Sequence, residues 1–413
     1  MKANAERIEQ SIKELSKFTA TPGQGVTRLT YSAEDLQARK YIKEKMKDYG
    51  LTVTEDGFGN IFGKLDGTLE NAPSVIAGSH FDSVPNGGAY DGTAGVVVGL
   101  EVAALFQEHN LKPAYPLEII AMVEEEGSRF GGGLMGSRGM MGLLTEEDFN
   151  TLSDHDGVLA IEAMQKIGLD PTKPKVRDPQ SIKAFLELHI EQGPILEEKG
   201  IDVGIVEAIV GLAQLEVTVQ GQAGHAGTTP MNRRADALVS AAKIIAALPE
   251  LATEESADTV ITTGRLNVFP NGANVIPDKV VFTLDIRSGD EAHVKSALQK
   301  VKALMATYDK DGIQIAVEEQ LFIQPKKMDE KIKELFKTAS DELGIPYHSM
   351  NSGAGHDAMV FSDYTASGMV FIPSKDGLSH CPEEWSDASH LAAGTDILFK
   401  TAVRLTEATT NDK

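Results

Sequence analysis

Two short apolar runs, residues 75–78 and 117–123, flank a longer stretch at 92–108 rich in Val, Leu and Ala, and this alternation constrains the fold more than any other feature of the chain. Short apolar runs suit strands buried on both faces, whereas a run of more than about a dozen residues suits a helix. Strand, helix, strand in that order predicts a parallel sheet with helices packed on it. In such sheets ligands gather beyond the carboxyl ends of the strands. Here the first such end reads Gly78-Ser79-His80-Phe81-Asp82 and the second Glu124-Glu125-Glu126. Helical spacing of Ile8, Ile12 and Leu15, and of Leu36, Tyr41, Ile42 and Met46 across 33–49, predicts two packing helices, and strand-like runs fall at 52–55 and 60–65.

A second pattern starts near Leu215, with strand 215–219, helix 234–248, strands 260–268 and 279–286, helix 292–308 and strand 313–317. That βαββαβ order completes a split βαβ, ferredoxin-like unit. Helices at 331–343 and 391–406 and a buried strand at 369–372 then return the chain to its first domain. The expected architecture is α/β: a larger domain with a mostly parallel central sheet flanked by helices, formed by 1–211 and 326–413, and an inserted ferredoxin-like domain at 212–325.

Charge and cysteine content narrow the chemistry. Lys and Arg number 39 against 61 Asp and Glu, a net charge of −22 that repels phosphate backbones and anionic membrane surfaces, so neither nucleic acid nor a membrane is an expected partner. Residues 1–10 lack an apolar h-region and no apolar stretch approaches a span, which predicts a cytoplasmic protein. With Cys381 as the single cysteine there is no disulfide framework and no cysteine-rich zinc module; beside Pro382 it reads as a packed thiol. Any metal must be held by His and carboxylates.

Such groups cluster at the predicted strand ends. His80 is followed by Asp82 and, nine residues after it, by Asp91; one of these carboxylates would ligate beside the imidazole and the other orient it, and spacing leaves open which. Three adjacent carboxylates at 124–126 repel one another unless a cation or proton relieves them. Strand alternation puts Glu124 and Glu126 on one side and Glu125 on the other, so one can ligate while another acts as a base. His189 lies in Glu187-Leu188-His189-Ile190-Glu191-Gln192-Gly193 and His380 follows Gly377-Leu378-Ser379. His80, Asp91, Glu125 or Glu126, His189 and His380 supply the N and O ligands that a pair of divalent ions requires. In the inserted domain, His225 stands in a glycine-flanked loop, and Asn274 and Arg287 are polar anchors, the latter placed to grip a substrate carboxylate in bidentate fashion. Gly131-Gly132-Gly133-Leu134-Met135-Gly136 matches a dinucleotide fingerprint in form only, since it lacks the preceding strand and the ribose-binding acid, and reads as a flexible loop. No serine-hydrolase elbow accompanies a suitable strand.

Taken together, Gly78-Ser79-His80-Phe81-Asp82-Ser83, Asp91-Gly92, Glu124-Glu125-Glu126-Gly127-Ser128-Arg129-Phe130, Glu187-Leu188-His189-Ile190-Glu191-Gln192-Gly193, Gly224-His225-Ala226-Gly227 and Ser379-His380 resemble the hydantoinase/carbamoylase branch of the aminoacylase and carboxypeptidase-like dinuclear metallohydrolases. The resemblance runs over nearly the whole chain. It implies two divalent ions per subunit, Zn, Mn, Co or Ni, and makes the inserted domain a lid that also forms a homodimer interface. By the same resemblance His80, Asp91 and His189 share one metal, and Asp91 bridges to a second held by Glu126 and His380. Asp82 orients His80, and Glu125 is the general base. His225 reaches into the partner subunit's site to stabilise the oxyanion, Asn274 and Arg287 hold the substrate carboxylate, and Gln192 stands beside the metals.

The implied function is hydrolysis of the ureido C–N bond of an N-carbamoyl-L-amino acid to amino acid, ammonia and CO2. Allantoate carries the same ureido and carboxylate groups and is the alternative substrate. Glu126-Gly127-Ser128-Arg129-Phe130 and Phe371-Ile372-Pro373-Ser374 look more like allantoate enzymes. Pro382-Glu383-Glu384-Trp385-Ser386 looks more like carbamoylases, and Gly211-Leu212-Ala213-Gln214 lacks the basic residue of many allantoate enzymes. A dipeptidase or aminoacylase, and a non-catalytic binding protein on the same fold, are the remaining readings.

Overall fold

A computed structural model describes residues 1–170 and 176–408 of the chain and divides them into two units. The first takes in residues 1–207, 328–350 and the chain from His356 onward; the second comprises Ala208–Lys327 and Asn351–Gly355.

In the first unit, helix α1 (Ala5–Ser16) is capped by Asn4, whose side chain accepts from the Arg7 amide, and buries Ile8, Ile12 and Leu15. Helix α2 (Ala33–Asp48) is capped by Ser32 and buries Ala38, Ile42 and Met46. Leu36, expected on that face, is exposed; the Asp35–Arg39 ion pair, 3.0 Å apart, occupies the buried side instead. Strands β1 (Thr52–Glu55) and β2 (Ile61–Leu65) follow, then β3 (Ser74–His80), helix α3 (Thr93–Glu108), β4 (Leu117–Met122), β5 (Ile182–Ile190) and β6 (Val203–Ile209). After the second unit come α4 (Glu330–Leu343), β7 (Ser367–Ile372) and α5 (Ala388–Thr406). Every residue of β3, β4 and β7 is buried, as strands covered on both faces require. Helix α3 is buried almost throughout because it lies on β3, β4 and β5 and is itself covered by α1 and α5.

The strands run in the order β1-β2-β4-β3-β5-β7-β6. The sheet is mixed: β4, β3, β5 and β7 are mutually parallel, whereas β1, β2 and β6 pair antiparallel at its flanks. The short link from β1 to β2 leaves no room for a crossover, so that pair is antiparallel by necessity. The parallel centre is what matters for the site, since four carboxyl ends open on one side of it. The run 131–136 is not wholly loop, because Met135–Met140 forms a short helix whose Gly136 packs on Asn60.

The second unit has a separate antiparallel sheet. Strand Lys279–Ser288 lies between Leu266–Phe269 and Gly211–Gln220, and the latter pairs on its other edge with Gln314–Ile323. The strand expected at 260–268 is broken into Val260–Thr262 and Leu266–Phe269, both paired with Lys279–Ser288. Helices Ala237–Glu255 and Glu291–Tyr308 cover the sheet, burying Ile244 and Leu248 from one and Val294 and Val301 from the other among the sheet's Leu215, Val217, Phe282 and Leu284. A two-stranded ribbon pairs Gly224–His225 with Val275–Ile276. Among the described residues, no helix is long and apolar enough to cross a membrane.

Candidate metal centre

The four parallel strands deliver their terminal residues to one place. His80 ends β3, Glu124-Glu125-Glu126 follow β4, His189 is the penultimate residue of β5, and His380 stands in the loop after β7. Asp91 comes from the loop between β3 and α3 and lies at the middle of the group. Its Oδ1 is 3.4 Å from His80 Nε2 and 3.2 Å from His189 Nε2, while its Oδ2 is 3.2 Å from His380 Nε2. Glu126 Oε1 is 3.3 Å from His380 Nε2. Gly92, at φ 58°, follows Asp91 directly, and a Cβ there would collide with the His80 ring, so only glycine lets the loop turn this close to the imidazole.

The tautomers are fixed from behind. His189 Nδ1 donates to the Ile190 carbonyl at 2.9 Å and His80 Nδ1 faces the Asp82 carbonyl at 3.3 Å, which turns both Nε2 atoms towards Asp91, where His189 Nε2 also takes the Gly92 amide at 3.2 Å. Asp82 accepts the Glu125 and Glu126 amides on its two oxygens, at 3.2 and 3.3 Å. Asp91 thus faces three imidazoles, whereas Asp82 lies behind one of them and takes the amides that follow β4. Glu124 departs from strand alternation. At φ 51° it turns inward, is fully buried, and accepts the Arg129 and Phe130 amides, so Glu125 and Glu126 alone face the cluster. Gln192 and His380, both at φ 58°, share that left-handed backbone, which is uncommon outside glycine and concentrates at functional sites.

Two ligand groups share Asp91: His80, Asp91 and His189 form one, and Asp91, Glu126 and His380 the other, with the donor atoms of each lying within 4.8 Å of one another. A third grouping joins His80 to Glu125 and Glu126. Imidazole and carboxylate donors suit Zn²⁺, Mn²⁺ and neighbouring divalent ions, and Glu126 Oε1 is buried with no hydrogen-bond partner among the described residues, so the donor set fits a pair of cations. Electrostatics agree. Burial alone would push the Asp91 carboxyl up, but His189, His380 and His80 hold it well below the ordinary range. His380 is raised to about 10, by its hydrogen bond to Asp91 and then by Glu126. Burial, reinforced by Asp357, Glu126 and Asp82 against the pull of His80, pushes Glu125 well above the usual carboxylate range. Protons and divalent cations compete for such a field.

Around the ligands stand Gln192, which the sequence motif already marked, and supporting residues whose roles carry no local sequence signal. Gln192 Nε2 and Ser379 Oγ both donate to Asp91 Oδ2, at 2.7 and 2.9 Å. Glu384, almost fully buried, accepts the Tyr90 and Asp91 amides on Oε1 at 2.9 and 3.0 Å, and Ser379 Oγ and the His380 amide on Oε2 at 2.8 and 3.3 Å. His356 packs on His189 with ring centroids 4.4 Å apart, and burial holds it well below the usual range, hence neutral. Cys381 is half-buried and belongs to none of the three ligand groups.

The other three expected site residues, His225, Asn274 and Arg287, lie in the second unit. His225 is exposed in the ribbon, and its Nδ1 accepts the Gly227 amide at 3.0 Å, leaving the proton on Nε2. Asn274 adjoins it, since its carbonyl accepts the Ala226 amide at 3.0 Å. Arg287 pairs with Asp285 at 2.6 Å and donates to the Gly353 carbonyl at 2.8 Å. It sits near the far end of Lys279–Ser288 from the ribbon, about 27 Å along the strand at roughly 3.4 Å per residue.

Residues 76–404 match peptidase family M20/M25/M40. The N-carbamoyl-L-amino-acid amidohydrolase of Paenarthrobacter aurescens is 42% identical over 402 residues, covering 97% of both chains. The allantoate amidohydrolase of Escherichia coli (strain K12) is 36% identical, covering 95% of this chain and 96% of that protein. The crystal structure of an amidase of the hydantoinase/carbamoylase family from Burkholderia multivorans superimposes with a TM-score of 0.92 at 34% identity, over 99% of each chain. The chain therefore belongs to the M20/M25/M40 peptidase family, in its hydantoinase/carbamoylase branch, and is a metal-dependent amidohydrolase acting on C–N bonds other than peptide bonds.

Proposed function

We propose that this chain hydrolyses the ureido C–N bond of an N-carbamoyl-L-amino acid, releasing the amino acid, ammonia and CO2. The observation that carries the reading is the placement of Asp91, whose two oxygens face separate imidazole groups, as a carboxylate shared between two cations must. Similarity to N-carbamoyl-L-amino-acid amidohydrolases supports the choice of substrate.

A ureido carbonyl is a poor electrophile because two nitrogens donate into it, so the site must supply a strong nucleophile and stabilise charge. His80, Asp91 and His189, and Asp91, Glu126 and His380, would hold two divalent ions, which when bound would supply Lewis acidity and make a nearby water more acidic, towards a pKa of about 7. Glu125, raised by burial, takes the water proton and returns it to the leaving nitrogen, a role that contributes about 10² to 10⁴ in rate. Asp82 keeps His80 oriented and holds the amides of Glu125 and Glu126 in place. Gln192 holds Asp91 Oδ2. His225 Nε2 donates to the developing oxyanion, and Asn274 and Arg287 bind the substrate carboxylate.

Homodimerisation belongs to this reading. The ribbon bearing His225 and Asn274 and the strand end bearing Arg287 lie too far apart within one unit for one compact ureido acid to meet both. We therefore assign His225 and Asn274 to the site of a partner subunit, with the second unit acting as lid and dimer contact.

The test is a substrate panel. The full chain, loaded in turn with Zn²⁺, Mn²⁺, Co²⁺ or Ni²⁺, is incubated with N-carbamoyl-L-methionine, allantoate and N-acetyl-L-methionine while ammonia and free methionine are measured. Ammonia together with methionine from the first is expected. Turnover of allantoate alone would transfer the assignment to an allantoate amidohydrolase, the reading favoured by the run Glu126-Gly127-Ser128-Arg129-Phe130. Cleavage of the acetyl compound alone would mark an aminoacylase, and inertness towards all three with any metal would favour a binding protein on this fold.

A further inference from the structure

Arg28 is 1% exposed and stands among the largest fully buried side chains of the protein. No carboxylate bonds to it among the described residues; Asp35 and Asp82 act on it only through space. Burial pulls the guanidinium down to about 10, which still leaves it charged at neutral pH. A buried charge without a paired carboxylate is costly, and apolar side chains commonly replace buried ionic groups without loss of stability. Stability is therefore a poor account of this residue.

Its contacts suggest another. Nε donates to the Phe81 carbonyl at 2.6 Å, Nη2 to Thr93 Oγ1 at 2.8 Å and Nη1 to the Leu15 carbonyl at 2.8 Å. The Arg28 amide donates to Ser83 Oγ at 2.9 Å, and the Ser83 amide donates back to the Arg28 carbonyl at 3.1 Å. Phe81 separates His80 from Asp82, and Thr93 opens α3 two residues after Asp91. One planar fork thus ties together the two ends of the loop that brings Asp91 back to His80, a geometry that the point charge of a lysine does not reproduce. The loop between them, residues 81–92, contains Gly87, Gly88 and Gly92 and has little stiffness of its own.

We propose that Arg28 is a positioning residue that sets the separation of His80 and Asp91, and through it the affinity of the His80, Asp91 and His189 group for its cation. The inference rests on the metal-dependent reading of that group and extends it to a residue outside the ligand set.

Arg28→Met and Arg28→Lys chains, stripped of metal, are titrated with Mn²⁺ or Zn²⁺ against a chromophoric chelator, and thermal unfolding of the metal-free proteins is followed in parallel. Arg28→Met should fold and lose about 10- to 100-fold in affinity at one of the two sites, the scale seen when a group supporting a ligand is removed. In turnover, kcat should fall with little change in KM, and Arg28→Lys should recover only part of either loss. Thr93→Val, which removes only the α3 end of the fork, is the second variant should Arg28→Met not fold, and the same affinity loss is expected of it. Parental affinity at both sites in a folded variant overturns the proposal, as does a lowered unfolding temperature with affinity unchanged, which would make Arg28 a stability residue alone. A failed substrate panel with the affinity loss intact would sink the ureido assignment and leave Arg28 where we place it.

Discussion

Glutamine in place of Glu384 tests whether the joint beneath the site governs metal binding. The carboxylate links the Asp91 loop, through the Tyr90 and Asp91 amides on Oε1, to the His380 loop, through Ser379 Oγ and the His380 amide on Oε2. A glutamine whose carbonyl takes the Oε1 position keeps the first pair. Its Nε2 then faces a hydroxyl and an amide. The Ser379 hydroxyl can turn and give its proton to Asp91 Oδ2 alone, 2.9 Å away, but the His380 amide cannot turn and loses its acceptor. One orphaned, partly buried N–H costs up to about 1–3 kcal/mol, and weakening two charge-assisted bonds to neutral ones adds about 1 kcal/mol. Glu384 is raised by burial and then by the charge of Asp91, so removing its own charge returns part of this, and about 2 kcal/mol net is expected to fall on the His380 loop. That corresponds to about 30-fold in affinity at the Asp91, Glu126 and His380 site, with the His80, Asp91 and His189 site little changed. Gly88→Ala should act alike, since a Cβ at that position would strike the Glu384 carboxylate. Calorimetric titration of metal-free protein with Mn²⁺ reads the two sites separately. If both variants bind both ions as the parent does, or if the His80 group weakens first, the reasoning is wrong.

Glu125→Gln should lower kcat by about 10² to 10⁴ while metal content measured by elemental analysis stays at the parental value; unchanged turnover would remove Glu125 from the base role. His225→Ala chains mixed with Glu125→Gln chains should regain about a quarter of parental activity by random pairing, since only one of the two sites in each mixed dimer is whole, and no regain would refute sites shared between subunits. His380 gives a pH dependence whose sign is fixed by its raised pKa. In the metal-free protein its charged form adds stability that is complete below about 6.5 and lost as pH rises through about 10. Because a cation needs the neutral imidazole, affinity at that site should climb with pH across the same window, by up to about tenfold per unit, and a flat profile between about pH 7 and about 9 would contradict the ligand assignment.

What could be read from the sequence is what depends on neighbours in the chain. Buried strands are short apolar runs, so His80, Glu125, Glu126 and His189 were recognisable as chemistry placed at strand ends. Glu124 misled strand alternation because a single residue at φ 51° ends the strand geometry and turns its side chain inward. Leu36 misled helical periodicity because a buried ion pair took the position meant for it. Glu384 and Arg28 were beyond reach for another reason. Glu384 bonds to a partner 294 residues away, Arg28 to one 53 away, and no local pattern encodes such pairings.

The sheet order explains why Asp91, and not one of the strand-end acids, is the carboxylate we propose to be shared. Parallel neighbours lie about 4.8 Å apart, so groups at the ends of β4 and β5 are separated by the width of two spacings, with β3 between them. A side chain that must meet both has to come from the segment leaving β3, and Asp91 is the acidic residue which that segment brings back over the strand end. His380 must cross from β7, a further strand away, which is why its ligand sits eight residues beyond Ile372 on a loop that needs Glu384 to hold it. The same geometry makes Asp82 unsuitable as a bridge: only two residues past His80, it has no length of chain with which to return, and its carboxylate can only brace the amides that follow β4.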